Sequence, residues 1–196
     1  MEDLGAPTPL TKIDIDQSIK GSKVDYKQYF EYVQGDISKM KADVIVNSIP
    51  PGMYSTFGVC KSIHDKSGPN LLKYLKKNYH SVLPGGFVDS PGFKLGCKSI
   101  LHVSGPLKEE SDLLKSLYQQ CLYYCFSHDY HSIIFPCIST GGRGFEEEEA
   151  CIIAINTCRL WVDKYGSYWK GKITFCCYTD KSFSAYKKFF SEILNL

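Results

Sequence analysis

Residues 32–68, YVQGDISKMKADVIVNSIPPGMYSTFGVCKSIHDKSG, decide the fold of this chain. They read as a strand, an acidic turn, a second strand, a glycine-bearing loop and a helix. Residues 132–162, SIIFPCISTGGRGFEEEEACIIAINTCRLWV, repeat the order of strand, glycine-rich loop and helix. Backbone N–H groups in such loops, and at the helix N-termini that follow them, can cradle phosphate groups. The two segments therefore predict a site for a phosphate-bearing ligand.

Strands and helices alternate along the rest of the chain. Several predicted strands are continuous runs of Val and Ile, typical of central strands covered on both faces. The predicted strands are 29–33, 43–47, 86–90, 99–103, 132–136 and 172–178, and the predicted helices are 59–66, 69–78, 110–127, 146–164 and 182–194. This alternation predicts an α/β fold, with helices on both faces of a mostly parallel sheet.

Length and composition predict one globular domain. The chain has 196 residues and a net charge of +2, which is too small to indicate an obligate nucleic-acid or membrane partner. We assign residues 1–25 to a polar N-terminal extension and residues 26–196 to the domain, which we expect to be monomeric. The N-terminus lacks the apolar core of a signal peptide and no apolar run is long enough to span a membrane, so we expect a cytoplasmic or nuclear protein.

The cysteines do not have the spacing of a metal site. There are nine, with no C-x-x-C pair and no Cys/His knuckle. An odd number without a secretion signal predicts reduced thiols packed as small apolar side chains. We therefore predict neither a bound metal nor a cofactor.

Candidate ligand-binding residues follow the predicted strands. Ligands of such sheets bind beyond the carboxyl ends of the strands, so the loops leaving Val33, Asn47, Pro136 and Tyr178 should share one rim. Asp36 offers a carboxylate to the exocyclic amine of an adenine, and the backbone of Ile37 offers an amide to a ring nitrogen. Tyr178 offers a flat ring for stacking. Taken singly, an aspartate after glycine is also typical of a turn, and a strand tyrosine of packing.

Five ordered motifs resemble the macrodomain, the module that binds ADP-ribose. They are Gly35-Asp36-Ile37, Val46-Asn47-Ser48-Ile49-Pro50, the turn at 86–95, Leu101-His102-Val103-Ser104-Gly105-Pro106, and Pro136-Cys137-Ile138-Ser139-Thr140-Gly141-Gly142-Arg143-Gly144-Phe145. The resemblance covers about residues 27–194. It implies a three-layer α/β/α fold with a mixed, mostly parallel sheet of about six strands, and ADP-ribose as the ligand. The ligand-binding residues that we predict are Asp36, Ile37, Asn47, Gly58, Val59, Cys60, Ser139, Thr140, Gly141, Gly142, Arg143, Gly144, Phe145 and Tyr178.

The chain departs from the pattern of hydrolytic macrodomains at the ribose end. Asn47 matches the first asparagine of that pattern, but Pro50 stands where the second is expected. Phe57 replaces a glycine of the phosphate-binding run, and Cys60 replaces the aspartate that positions the attacking water. A thiol is a poor general base at neutral pH unless the helix N-terminus lowers its pKa. This version of the loop looks most like the second-type macrodomains of the multi-macrodomain poly(ADP-ribose) polymerases.

From these departures we expect a module that recognises free ADP-ribose or ADP-ribosylated proteins without efficient hydrolysis, and no confidently assigned catalytic residue. The first alternative is a mono-ADP-ribosyl-protein hydrolase, using Asn47 and water activation assisted by the substrate. The second is a degenerate scaffold or an RNA-binding macrodomain, although the small net charge argues against nucleic acid.

Overall fold

A computed structural model describes residues 24–50 and 52–196. Its strands are β1 (Phe30–Gln34), β2 (Val44–Ser48), β3 (Phe87–Pro91), β4 (Ser99–Val103), β5 (Ser132–Pro136) and β6 (Lys172–Cys177). Its helices are α1 (Gly58–Ser67), α2 (Pro69–Asn78), α3 (Ser111–Ser127), α4 (Glu147–Tyr165) and α5 (Asp180–Leu194). The predicted extension at 1–25 lies outside the described residues, except for its last two.

The six strands form one mixed sheet in the order β1-β6-β5-β2-β4-β3. All neighbouring pairs are parallel except β3 with β4, which is antiparallel. A return between β3 and β4 needs only a short turn, whereas each parallel neighbour needs a crossover of a dozen or more residues. The predicted mixed, mostly parallel sheet is confirmed.

Helices cover both faces of the sheet because the central strands are apolar on both faces. Val44 and Val46 belong to the large core formed with α3, α4 and α5. Ile45, between them, packs on the opposite face with Ile63 of α1 and Leu71 of α2. Successive strand residues point to opposite sides, so a continuous apolar run fills both cores. The result is the predicted three-layer α/β/α arrangement.

Two searches of the described residues concern membrane spans and metal sites. Within residues 24–50 and 52–196, no helix combines the length and apolarity needed to cross a membrane. The same part of the chain contains no group of three or more His, Cys, Asp or Glu side chains arranged to hold a metal ion.

Candidate functional site

Four loops meet at one edge of the sheet. Because β1, β6, β5 and β2 are consecutive and parallel, their carboxyl ends lie side by side. The loops that follow them carry, in order, Asp36, Tyr178, the glycine-rich loop 137–146, and the segment that leads into α1. Three strand spacings of about 4.8 Å make this row about 14 Å long. The edge can therefore hold an elongated ligand lying across the strand ends.

The β1 and β6 end of the row has an exposed aromatic ring beside an acidic turn. The amide of Gly35 donates to the carbonyl oxygen of Cys177 at 2.9 Å, which brings the residues after both strands together. Tyr178, the next residue after Cys177, is 81% exposed. The predicted strand is thus one residue too long, and the Tyr178 ring stands free at the end of β6 instead of packing within it.

Asp36 forms the turn that the ordinary interpretation of its sequence predicts. One carboxylate oxygen, Oδ1, accepts from the amide of Ser38 at 3.0 Å and from the Ser38 hydroxyl at 2.7 Å. This caps a 3₁₀ helix at Ile37–Lys39, in which the Ile37 side chain is buried. The other oxygen, Oδ2, lies 3.8 Å from the ammonium of Lys39. Asp36 Oδ2 therefore keeps acceptor capacity for a ligand while Oδ1 holds the turn.

The glycine-rich loop is anchored from below by buried side chains. Ser139 has a left-handed backbone with φ of 68°, and its hydroxyl donates to the carbonyl oxygen of Pro106 at 3.0 Å. The amide of Phe145 donates to the Ser139 carbonyl at 3.2 Å, and the Phe145 side chain is 3% exposed. The Thr140 hydroxyl donates to the Cys137 carbonyl at 3.0 Å. These side chains fix the loop, so its backbone is what a ligand meets.

Open space lies above the glycines of the candidate site. A Cβ atom built on Gly58, Gly141, Gly142 or Gly144 would meet no atom of the described residues within 4 Å. A Cβ on Gly105, under the loop, would lie 2.4 Å from the Ser139 hydroxyl oxygen. The glycines at the rim therefore leave room for a ligand to approach the backbone, whereas Gly105 is required for packing.

Helix α1 begins at this edge without a side-chain cap. Its N-cap residue is Phe57, whose side chain makes no capping hydrogen bond and is 78% exposed. The first N–H groups of α1, at Gly58, Val59 and Cys60, carry the positive end of the helix dipole, so they suit an anion. Phe57 points its ring into solvent and does not fill the space beside Gly58.

Two of the four consecutive glutamates at 146–149 pair with lysines of α5. Glu146 lies 3.9 Å from the ammonium of Lys181, and Glu148 lies 3.3 Å from that of Lys188. Half-buried Arg143 keeps one terminal nitrogen, Nη2, without a partner among the described residues. The arrangement leaves a cation at the loop and draws two of the carboxylates toward α5, which reduces their repulsion of an anion.

The side chains of Cys60 and Asn47, two of the predicted ligand-binding residues, are buried. Cys60 is 2% exposed and belongs to a small apolar cluster with Ile49, Met53 and Val82. Burial raises the pKa of the Cys60 thiol to about 11, which outweighs the opposing effects of Asn47 and of the Ser55 backbone. The helix N-terminus thus does not activate this thiol, which stays protonated at neutral pH.

Asn47 is part of a buried hydrogen-bond chain that sequence reasoning missed. Its amide nitrogen donates to Nδ1 of His102 at 3.0 Å, and Nε2 of His102 lies 2.9 Å from the Ser90 hydroxyl oxygen. An amide NH₂ can only donate, so Nδ1 must be unprotonated and Nε2 must carry the proton. Oδ1 of Asn47 has no partner within the described residues. The signal was the register that pairs Asn47 with His102, which no single sequence reveals.

We expect the hydrogen-bond chain through Asn47, His102 and Ser90 to make the stability of the fold sensitive to mild acid. Burial, followed by the nearby His64, lowers the pKa of His102 to about 3, and burial also lowers the pKa of His64. In the unfolded chain His102 binds a proton as the pH falls below about 6.5, whereas in the folded chain it stays neutral until about pH 3. The free energy of unfolding therefore falls as the pH drops from about 6.5 towards 3. For His102 alone, the free energy of unfolding should be about 2 kcal/mol lower at pH 5 than at pH 7.

Urea denaturation between pH 5 and pH 7.5 measures this loss. His102→Gln can keep both hydrogen bonds without titrating, so it should flatten the pH dependence, whereas His80→Gln, at an exposed position, should not. If the free energy of unfolding depended on pH equally in the wild type and in His102→Gln, His102 would not be the source of the acid sensitivity.

A family model describes the same part of the chain. The model of the Macro domain matches residues 46–154, which run from the middle of β2 through the glycine-rich loop into α4. This is more than half of the 196 residues. The chain belongs to the Macro domain family.

Known relatives and solved structures are similar to this macrodomain over most of its length. An O-acetyl-ADP-ribose deacetylase of Enterobacter cloacae is 30% identical over 174 residues, which cover 85% of this chain and 96% of the relative. A macro domain-containing protein of Chlorobaculum tepidum is 32% identical over 162 residues, covering 80% and 92%. The Oceanobacillus iheyensis macrodomain with ADP has a TM-score of 0.79 at 28% identity, covering 85% of this chain and 92% of that one. The Trypanosoma brucei macrodomain in complex with ADP-ribose has a TM-score of 0.77 at 26% identity, covering 82% and 68%.

The relatives contradict the prediction of a recognition module without efficient hydrolysis. Those from Enterobacter cloacae and Klebsiella pneumoniae, each 30% identical, are both named O-acetyl-ADP-ribose deacetylases, which are hydrolases. These names likewise contradict the expectation of a chain without efficient catalysis. That expectation rested on Pro50 and Cys60, which stand where hydrolytic macrodomains have an asparagine and an aspartate. These replacements remove one way of activating water but leave the rest of the candidate site in place.

Proposed function

We propose that this macrodomain binds ADP-ribose and hydrolyses esters formed on its ribose, such as O-acetyl-ADP-ribose. The observation that carries the proposal is the open cradle formed by two backbone loops at the ends of the neighbouring strands β2 and β5. Relatives named as deacetylases and the structural likeness to macrodomains with bound ADP or ADP-ribose support both the ligand and the reaction.

The diphosphate would bind between the two loops. The uncapped N–H groups at Gly58 and Val59 approach from α1, and those of Gly141 to Gly144 from the other side. Arg143 adds a positive charge at the loop. Hydrogen bonds to a charged group are worth about 1.5–3 kcal/mol each, so this cradle would supply much of the binding energy.

The adenine would lie at the β1 and β6 end. The ring of Tyr178, 81% exposed, is available for stacking. Asp36 Oδ2 would accept from the exocyclic amine, and the backbone N–H of Ile37 would donate to a ring nitrogen. The diphosphate would then cross the end of β5, and the ester-bearing ribose would lie at the end of β2.

Neither Cys60 nor Asn47, the two side chains predicted for the ribose end, is suited to act as the general base. Cys60 is protonated at neutral pH, because burial raises its pKa to about 11. Asn47 is buried with its amide committed to His102, so it would act by supporting the floor of the site beneath Cys60. The base would therefore come from the substrate, as an oxygen of the bound diphosphate.

The proposed step is direct hydrolysis of the ester. A water between the diphosphate and the ester attacks the acyl carbon, and its proton passes to a phosphate oxygen. The new carbon–oxygen bond forms as the bond from the acyl carbon to the ribose oxygen breaks. The proton then passes to that ribose oxygen, which releases a carboxylic acid and ADP-ribose. The contribution of the protein is to hold water, phosphate and ester in reacting distance, an effect that can itself be worth several orders of magnitude in rate.

The test is release of acetate from O-acetyl-ADP-ribose by the purified protein. We expect multiple turnovers, loss of turnover in Gly142→Val, and no ionisation assignable to Cys60 in the profile of kcat/KM between pH 6 and 9. Tight binding of ADP-ribose by the wild type without any acetate release would overturn the hydrolase.

A second prediction separates the two oxygens of Asp36. Asp36→Asn can keep the acceptor that holds Ser38, but it replaces the other oxygen with an NH₂ donor that repels the adenine amine. We expect ADP-ribose binding about 5- to 100-fold weaker in calorimetry, the penalty for an unmatched polar partner, with an unchanged melting temperature. Asp36→Ala serves as comparison, since it should also lose about 1 kcal/mol of stability with the cap. An unchanged Kd in Asp36→Asn would remove Asp36 from the site.

Four finer assignments belong to the same proposal. The domain would comprise residues 26–196 and act as a monomer. Its loop from Asn47 to Cys60 supports a position near the second-type macrodomains of the poly(ADP-ribose) polymerases.

Esters between ADP-ribose and acidic side chains of proteins contain the same bond as O-acetyl-ADP-ribose, so ADP-ribosylated proteins would be further substrates. Such substrates imply work in the cytoplasm or nucleus, and assays on a protein carrying mono-ADP-ribosylated glutamate would test it.

A further inference from the structure

The small net charge of the chain conceals a strongly basic region. Residues 61–98 contain seven lysines and two aspartates, a net charge of +5, whereas the rest of the chain has 16 basic and 19 acidic residues, a net charge of −3. Lys61 and Lys98 pair with Asp65 and Asp43. The other five pair with no carboxylate within the described residues, and we call them the lysine stripe: Lys66, Lys73, Lys76, Lys77 and Lys94.

The stripe follows the outer surface of one helix. Lys73, Lys76 and Lys77 lie opposite the buried face of α2, which is marked by Leu71 and Leu75. Exposed Lys66 lies in the last turn of α1, and the stem of exposed Lys94 lies 3.6 Å from where a Cβ of Gly68 would be, at the junction of the two helices. At 1.5 Å per residue, the stripe from this junction to the end of α2 is about 15 Å long.

Helix stability explains only part of this arrangement. Lys76 and Lys77 are in the last turn of α2, where cations favour the helix dipole. Lys66 has the same position in the last turn of α1, whereas Lys73 and Lys94 lie at neither helix end. Because neighbouring like charges repel, five unpaired cations along one surface raise the local positive potential and attract an extended polyanion.

Aromatic rings accompany the lysines. Phe93 is 39% exposed, and the centroid of its ring lies 5.9 Å from that of Tyr74 on α2. Tyr74 follows Lys73 and precedes Lys77 by one helical turn, and Phe93 precedes Lys94. Phe93 has φ of 49°, the left-handed region that a phenylalanine seldom adopts. The aromatic pair is thus beside the stripe and partly open to solvent.

We propose that the lysine stripe with Tyr74 and Phe93 is a binding surface for single-stranded nucleic acid, separate from the ADP-ribose cleft. Alternating cations and stackable rings are the combination that binds single strands without strong sequence preference, since phosphates meet the cations and any base can stack. An acidic peptide would use the lysines but gain nothing from the rings. The surface leaves the glycines of the cleft free, so both ligands could be bound at once.

The test is fluorescence anisotropy with a labelled 12-nucleotide oligo(U). Five phosphate contacts on a single strand predict an affinity loss of about a hundredfold between about 50 and 200 mM salt. Lys73→Glu/Lys77→Glu should weaken binding at least about tenfold and flatten the salt dependence. The matched control is Lys170→Glu/Lys187→Glu, which changes the net charge equally at two exposed positions outside the stripe and should bind oligo(U) more tightly than the first variant.

A third variant tests the rings. Phe93→Asn removes the aromatic side chain with a residue that tolerates a left-handed backbone, so folding is preserved. We expect oligo(U) binding about 5- to 100-fold weaker, the loss typical of one stacked base. Unlabelled ADP-ribose at saturation should not displace the oligonucleotide.

Three outcomes would overturn the proposal. Equal oligo(U) binding by Lys73→Glu/Lys77→Glu and by its charge-matched control would show that the lysine stripe is not the binding surface. Oligoglutamate binding as tight as oligo(U), with Phe93→Asn unaffected, would make the surface one for acidic peptides. Displacement by ADP-ribose would assign the oligonucleotide to the cleft. Hydrolysis of O-acetyl-ADP-ribose is measured on the same variants, so failure of either proposal is seen independently of the other.

Discussion

Replacing Gly142 with valine should abolish tight ADP-ribose binding while leaving the fold intact. Gly142 is exposed and its backbone is outside the left-handed region. In the part of the chain that the structure describes, a Cβ built on it meets no atom within 4 Å. The valine side chain would therefore occupy only the space that we assign to the diphosphate. Loss of two hydrogen bonds to a charged group, at about 1.5–3 kcal/mol each, predicts binding more than about a hundredfold weaker.

Isothermal titration calorimetry with ADP-ribose measures this effect, and thermal denaturation checks the fold. Stability should change by no more than about 0.5 kcal/mol, as is usual for surface substitutions. Gly96→Val is a matched control, since Gly96 is also exposed and open but lies in the β3–β4 connection at the opposite edge of the sheet. It should retain ADP-ribose affinity despite the strain of its φ of 84°. Wild-type affinity in Gly142→Val would exclude this loop from the site.

Gly105→Ala should damage both stability and binding, through one contact. Its Cβ would lie 2.4 Å from the hydroxyl oxygen of Ser139 and 3.1 Å from a methyl carbon of Ile138. Ser139 is buried and holds the glycine-rich loop by donating to Pro106. Overpacking of this kind costs about 1–3 kcal/mol, and a shift of the loop by about 1 Å can reduce turnover on the order of a hundredfold.

A second substitution tests whether that contact is the cause. Ser139→Gly removes the obstructing hydroxyl and suits the φ of 68° at this position. In the double variant the free energy of unfolding, ADP-ribose affinity and turnover should recover together relative to Gly105→Ala. Additive losses in the double-mutant cycle would show that the two residues act independently, which would contradict the proposed clash.

The sequence predicted most of the architecture because its signals are local. The strands at 99–103 and 132–136 and the helix at 69–78 were predicted to the residue, and other bounds differ by one or two residues, as cap geometry usually dictates. The antiparallel direction of β3 and the strand order were not predicted from residue patterns. Both depend on which strands pair, a long-range choice that alternating apolar runs do not encode.

The candidate site was predicted in its backbone and less well in its side chains. The space beside Gly58 and Gly142 is open, as expected, because glycine in a loop after a strand is a local signal that a ligand can approach the backbone. The side chains of Asn47 and Cys60 are buried, which their sequence context did not predict. Their burial depends on the register between β2 and β4 and on Val82, which is contributed by a distant segment. Replacement of a presumed base also led to the wrong conclusion about hydrolysis, since a motif describes one chemical route and not every route that a cleft permits.

The burial of the thiols gives this protein a built-in set of chemical reporters. Seven of the nine cysteines are buried, and only Cys97 and Cys137 are partly accessible. A buried thiol reacts with an alkylating agent only when its surroundings open, so alkylation rates read by mass spectrometry would give the opening free energy of each region. Cys60 reports on the ribose end, Cys176 on the adenine end and Cys158 on the deep core. Protection of Cys60 and Cys176 by ADP-ribose, with Cys158 unchanged, would trace the outline of the occupied cleft without any substitution.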